Sequence, residues 1–342
     1  MDPWYSKNTL AKIRIIRDCL IVAITFAIII YAYTWKYLSY DPLVVPDTGY
    51  ELRIESGTSV RQFIKHLHSS GLLSHPNLMI WYVALVGANH IQAGEYKVLP
   101  GMTPLQLLTK VESGLVEQYS FTIIEGWSTA QLLAELHKHP KIKHTLYGLS
   151  MQEMVQKLNI QVTHLEGVFL PNTYNFLADT TDVEFLRRAY FSMEHKLRQS
   201  WPTRSADCGV KSPYEALILA SIIEKESGII KEYAEISGVF SRRLAKNMKL
   251  QADPTVIYAY ESGLTEPLAR KHLNIKSPYN TYQNVGLPPT PIALPSALAI
   301  DAALHPAQGD ALYFVATGEG GHVFSSNLKD HNAAVKRLYT RK

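Results

Sequence analysis

Residues 212–228 read SPYEALILASIIEKESG, and positions 216–223 within them hold a single polar side chain, Ser221. A helix that is apolar on every face cannot lie on a surface, so the chain must fold around it and supply neighbours on all sides. Its start is well specified: Ser212 can cap the first turn, Pro213 suits the first helical position, and Glu215 completes an S-x-x-E capping box. Its last turn carries Glu224, Lys225 and Glu226, where the negative end of the helix dipole disfavours carboxylate ions, before Ser227 and Gly228 stop it. Dipole and partial burial both push a glutamate pKa above its ordinary value of about 4.3. A glutamate still protonated near neutral pH is a general acid. On helical spacing Glu226 stands above Ile222, Leu219 and Ile218, while Glu224, about 200° round the axis, stands above Ala220, Leu217 and Ala216. The two carboxylates therefore cannot share one site. The pattern alone leaves open whether either does chemistry or both form an ordinary charged helix end.

Near the N-terminus, residues 19–35 carry no charge, and seventeen residues is the lower limit for crossing a bilayer. Tyr31, Tyr33, Trp35 and Tyr37 follow as an interfacial belt. Lys7, Lys12, Arg14 and Arg17 precede the run and only Lys36 closely follows it, which predicts a cytoplasmic N-terminus and a body on the outer side. No A-x-A cleavage site ends the run, so an uncleaved anchor is expected rather than a signal peptide. Of the net charge of +4, three units lie in residues 1–37, with five Lys and Arg against two Asp; the remainder holds 29 Lys and Arg against 28 Asp and Glu. A neutral body argues against a nucleic-acid footprint. Cys19 and Cys208 make no readable disulfide framework.

After a Pro- and Gly-containing linker, one pattern occurs three times: an apolar strand, a glycine, and a Ser or Thr that opens a helix. The copies are LRIESGTSVRQFI from Leu52, YKVLPGMTPLQLL from Tyr96 and FTIIEGWSTAQLL from Phe121. Each has capping-box spacing, Ser59 to Gln62, Thr103 to Gln106 and Ser128 to Gln131, so these hydroxyls are helix starts rather than catalytic groups. Residues 50–114 read strand, helix, helix, strand, helix, and the βααβ order resembles the LysM-like module that binds glycan in cell-wall proteins. A small adaptor that only positions the downstream domain is the alternative. His66 with His68 and His137 with His139 have i, i+2 spacing, which on a helix points to opposite faces; they are expected to be surface histidines, and no metal site is expected. Gly318 to Gly321 should form a hairpin turn between apolar runs, not a phosphate loop, because no helix start follows.

Beyond residue 160, polar clusters sit among turn formers: EGVFLPNTY from Glu166, QADPTVIY from Gln251, SPYNTY from Ser277, GLPP from Gly286, and GGHVF from Gly320 with Asn327 and His331. Each alone could be loop chemistry. In this order, and behind ASIIEKES, they resemble the endolytic murein transglycosylase family, also called YceG-like, over nearly the whole chain. The family often has aspartate in a P-D-T-Y stretch where this chain has Asn172. The resemblance implies that Glu226, the second glutamate of E-K-E, is the essential acid. It further implies that Gln251, Asp253, Asn280, Tyr282, Glu166 and His322 are substrate-binding candidates, with no cofactor and no metal.

The expected fold class is α+β. Residues 1–18 form a cytoplasmic N-terminus, 19–37 a single transmembrane helix, 38–49 a linker, 50–116 the LysM-like module, and 117–342 a mixed α+β catalytic domain. The resemblance implies cleavage of the β-1,4 bond between N-acetylmuramic acid and N-acetylglucosamine in nascent strands, in the periplasm at the bacterial inner membrane. The partners it implies are peptidoglycan glycan strands and the membrane, with peptidoglycan synthases or division proteins alongside and no nucleic acid. A membrane-tethered glycan-binding scaffold, and a muramidase that uses water and a second acid such as Asp253, are the alternatives.

Overall fold

The apolar run lies within one unbroken helix, α1 (Pro3–Tyr40), in the computed structural model, which describes residues 3–88, 90–260, 267–318 and 320–340. By length and composition Ala11–Tyr40 is able to cross a membrane. Its side chains are exposed from residue 11 through residue 29, whereas Thr34, Tyr37 and Leu38 are buried. The chain divides into two units, Met1–Gln118 and Tyr119–Lys342.

In the first unit, β1 (Tyr50–Ile54) is followed by α2 (Val60–Ser69) and α3 (Pro76–Val86), then β2 (Gly94–Val98) and α4 (Pro104–Glu112). β1 pairs antiparallel with β2, Leu52 opposite Tyr96. Alternation along the strands buries Leu52, Ile54, Tyr96 and Val98, and three-to-four spacing buries Val60, Phe63, Ile64 and Leu67 of α2. These join Tyr37, Leu38 and Leu107 in one core, so the end of α1 is built into the unit, packed on α3 and α4. The predicted capping boxes at Ser59 and Thr103 are both reciprocal, each typically worth about 1 kcal/mol.

The second unit runs β3 (Gln118–Thr122), α5 (Thr129–His137), β4 (Ile142–Lys143), α6 (Met151–Leu158), β5 (Thr173–Leu177), β6 (Thr180–Thr181) and α7 (Asp182–Ser200). It continues with α8 (Pro213–Glu226), α9 (Tyr233–Ala245), α10 (Asp253–Ala259), α11 (Ala297–Leu304), β7 (Tyr313–Ala316), β8 (His322–Ser325) and α12 (Leu328–Thr340). Its strands form two-stranded ribbons: β3 with β5, β4 parallel to β6, and β7 antiparallel to β8. The turn predicted between the last two includes Glu319, which lies outside the described residues. The box at Ser128 forms, joined by two more at Ser150 and Thr181. Strands expected from Leu52, Tyr96 and Phe121 each start two or three residues earlier, because the main-chain ladder continues through polar residues that an apolar pattern does not mark.

α8 is the axis of this unit, touching α7, α9, α10 and α11. Every residue from 216 to 223 is buried, and burial of its five Leu and Ile side chains stabilises by roughly 2 kcal/mol each. The lone hydroxyl is fully used: Ser221 Oγ donates to Ile218 O (2.7 Å) and accepts from Ile292 N (3.0 Å), which seats the proline-rich segment on the helix. Gly167 must be glycine there, since a Cβ would stand 2.3 Å from Pro291 Cβ and φ is +78°. The predicted Ser212 box is only half formed. Ser212 Oγ accepts from Glu215 N (3.1 Å), but the Glu215 carboxylate accepts from Lys211 N (2.6 Å) rather than from Ser212. His139 is half-buried rather than fully on the surface: it sits edge-on to Phe121 and Phe176, and burial, with the neighbouring His144, lowers its pKa.

Candidate active site

α8 ends at Glu226 because Ser227 turns extended (φ −140°, ψ 138°). The two acids of the last turn then part company, as helical spacing requires. Glu224 accepts from Tyr233 Oη (3.1 Å) and Ser296 N (2.9 Å), tying α8 to α9 and to the start of α11. Glu226 keeps an accessible edge, and its carboxyl makes no hydrogen bond among the described residues. Protein crowds it on the other sides. Desolvation, with the negative charge of Asp253 added and the Arg243 guanidinium opposing, raises its pKa to about 8. Near neutral pH it therefore holds a proton on an uncommitted oxygen.

The groups around it come from three later segments. Arg243, in the last turn of α9, is 6% exposed; its Nε donates to Leu312 O and its Nη1 to Leu250 O, both at 2.7 Å. The guanidinium lies 5.1 Å from the centre of the Tyr313 ring, and the His331 ring stacks on that tyrosine at 5.3 Å. Burial and the charge of Arg243 both lower the pKa of His331. Gln251 is left-handed (φ 50°), held by Gln251 N–H to Thr281 O (3.1 Å), while Ala252 N–H donates to Thr281 Oγ1 (2.9 Å). That kink opens α10 with Asp253, whose Oδ1 accepts from Tyr282 Oη at 2.5 Å. Burial, then the bond to Asp253, pushes the Tyr282 phenol well up, so it acts as a donor. Asn280 is fully buried: Nδ2 donates to Leu273 O (3.0 Å) and Ile275 O (2.8 Å), and Oδ1 accepts from Tyr282 N (2.9 Å). Both its amide hydrogens are engaged, so it shapes the loop that presents Tyr282 instead of facing a sugar.

The model of the YceG-like family matches residues 52–337. The chain belongs to the YceG-like family. A protein named endolytic murein transglycosylase from Bacillus subtilis (strain 168) is 32% identical over 312 residues, covering 86% of this chain and 86% of its own length. Proteins of the same name from two Streptococcus pneumoniae strains are each 28% identical over 317 residues, covering 82% of this chain and 57% of their own length. A crystal structure of a yceG-like protein from Listeria monocytogenes superposes with a TM-score of 0.49 at 27% identity, over 84% of this chain and 99% of that one.

In this YceG-like chain the remaining candidates are bound to partners other than Asp253. Glu166 accepts from Thr129 N (2.9 Å) and from Tyr258 Oη (3.2 Å), near the far end of α10, with its pKa raised by burial against those hydrogen bonds. His322 is bound by Glu232, through its main-chain N (2.8 Å) and Nδ1 (2.7 Å). Glu232 also accepts from Ser227 Oγ (3.2 Å), and although burial raises its pKa, these bonds lower it overall. His322 thus braces the residue that follows Glu226. Arg243 and Glu232 escaped the motif reading because each acts across a fold contact that no local pattern marks. A cavity of about 420 Å³ opens beside Glu224, Tyr233 and Ser296, and Glu226 is not among its lining residues. Among the described residues no three His, Cys, Asp or Glu side chains are grouped to hold a metal ion.

Proposed function

We propose that this YceG-like protein is a membrane-anchored endolytic lytic transglycosylase. It cuts the β-1,4 bond between N-acetylmuramic acid and N-acetylglucosamine in nascent peptidoglycan and leaves 1,6-anhydromuramyl ends. The observation that carries the reading is Glu226, a carboxyl with its pKa raised to about 8 and no hydrogen-bond partner among the described residues, beside Asp253 and Arg243. The name of the Bacillus subtilis relative supports the substrate class.

Glu226 protonates the leaving oxygen as the bond breaks, and its carboxylate then takes the proton of the muramyl 6-hydroxyl as that oxygen attacks C1. Holding the hydroxyl in place substitutes proximity for an external nucleophile, so one acid suffices. Asp253, fixed by Tyr282, faces the positive charge that develops at C1, while Gln251 sets where Asp253 stands. Glu166 and His322 support the cleft walls. The first unit is a LysM-like module carried on a single span, N-terminus inside and body in the periplasm. Cutting nascent strands would end their elongation, which places peptidoglycan synthases or division proteins among its partners.

Mass spectrometry of glycan digested by the purified protein tests the reading. Anhydro ends, lighter by one water than reducing ends, are expected, and Glu226→Gln should abolish them while the protein stays folded. Reducing muramyl ends as primary product would instead make Asp253 the second acid of a hydrolase. Binding without cleavage would leave a scaffold.

A further inference from the structure

α3 contains no charged residue: its sequence is PNLMIWYVALV. Met79 and Val83 face the core, yet Trp81 is 45% exposed, Leu85 59% and Val86 51%. Helices that present large apolar groups to water usually interleave them with charges, and a charge-free exposed face marks a contact surface.

Its place on α1 identifies what covers that face. The burial of α1 by the first unit begins with Ile30, half-buried, and continues with Thr34 and Leu38, one stripe at i, i+4, i+8. Ile30 lies inside the uncharged run 19–35, about 7 Å along the helix axis from Trp35, at 1.5 Å per residue. α3 is the element that reaches this level. The Tyr82 ring packs 6.3 Å from Trp35, and Tyr82 is within electrostatic reach of Tyr31. Val86 follows Tyr82 by one turn and Leu85 follows Trp81, so the exposed groups continue the aromatic belt of α1. The polar groups facing this region are Glu112, also within reach of Tyr82, and His75, which donates its N–H to Tyr37 Oη (3.1 Å). A bilayer interface accommodates such a mixture of Trp, Tyr, Leu and Val.

We infer that the exposed face of α3, formed by Trp81, Leu85 and Val86, lies in the outer interface of the bilayer as a second membrane contact beside the single span. The inference rests on the anchor reading of α1. α3 and α1 together then hold the first unit against the lipid at two points.

The test uses the full chain with Cys19→Ser and Cys208→Ala, reconstituted in phosphatidylglycerol–phosphatidylethanolamine vesicles and carrying one nitroxide at Leu85→Cys, Ile24→Cys or Arg61→Cys. Collision with oxygen should exceed collision with a water-soluble nickel chelate at positions 24 and 85, and the order should invert at position 61. Lipid exposure at 24 with aqueous exposure at 85 overturns the inference and leaves the anchor standing. Aqueous exposure at 24 removes the anchor reading and the inference with it. Spin–spin broadening at 85 that disappears on dilution with unlabelled protein also overturns it, because a second copy, not lipid, would then cover the face.

Discussion

Replacing Glu226 by glutamine should stabilise the protein relative to the wild type progressively as pH rises from about 5 to about 8. In the folded chain the carboxyl titrates near 8, against about 4.5 when unfolded. Between those values the folded state holds a proton that the unfolded state has released, so wild-type stability falls as pH rises through the window. A shift of this size corresponds to roughly 5 kcal/mol at about 1.4 kcal/mol per pH unit, an upper limit because water at the open edge of the side chain screens the charge. Glutamine fills the same space without titrating. The difference in unfolding free energy between Glu226→Gln and wild type should therefore climb in favour of the variant from about pH 5 to pH 8 by a few kcal/mol, and flatten on either side. Urea unfolding of the detergent-solubilised chain, followed by circular dichroism at five pH values, reads it. A difference that stays flat across the window, or that favours the wild type as pH rises, would refute the claim that burial keeps this acid protonated.

Arg243→Met should push the Glu226 carboxyl still higher and move the alkaline limb of the pH–activity profile upward. It should also destabilise, because Leu250 and Leu312 carbonyls lose their donor at about 1–3 kcal/mol each; Arg243→Lys should bring the limb back toward the wild type. Tyr282→Phe removes the donor that fixes Asp253; because that bond is solvent-exposed its loss should change Tm little, yet it should lower kcat/KM about 10- to 100-fold, the equivalent of about 1.4–2.8 kcal/mol in the barrier. Asn280→Ala should do the reverse: lose on the order of 3 kcal/mol in urea unfolding, with the molecules that remain folded in the cold keeping most of their specific activity.

How far the sequence could be read depended on the range of the interaction concerned. Residues 216–223 could be recognised as a buried helix because apolar faces and their consequence belong to one segment, and the Ser59, Thr103 and Ser128 caps involve partners three residues away. Even there Glu215 turned to Lys211, since two neighbouring N–H groups compete for one carboxylate and the backbone path decides. The opposition of Glu224 and Glu226 followed from helical geometry, but which of them stays unpaired depends on Tyr233 and Ser296. Arg243 sits beside Arg242, which binds Ala307 and Ala311 carbonyls, and nothing local distinguishes the two. Asn280 looked like a sugar ligand because amides in turn-rich strings serve both purposes; only the carbonyls of Leu273 and Ile275 reveal which. The pairing of Glu232 with His322 spans 90 residues, and no spacing rule reaches that far.

Gln251 carries a consequence for how such a protein can change. A glutamine at φ 50° pays a steric penalty of about 1–2 kcal/mol that glycine would avoid. Random variants selected only for heat resistance should accumulate Gln251→Gly, and the same exchange would give Asp253, which we propose faces the reacting sugar, a looser hinge. Selection for durability and selection for turnover would then pull on one dihedral angle in opposite directions.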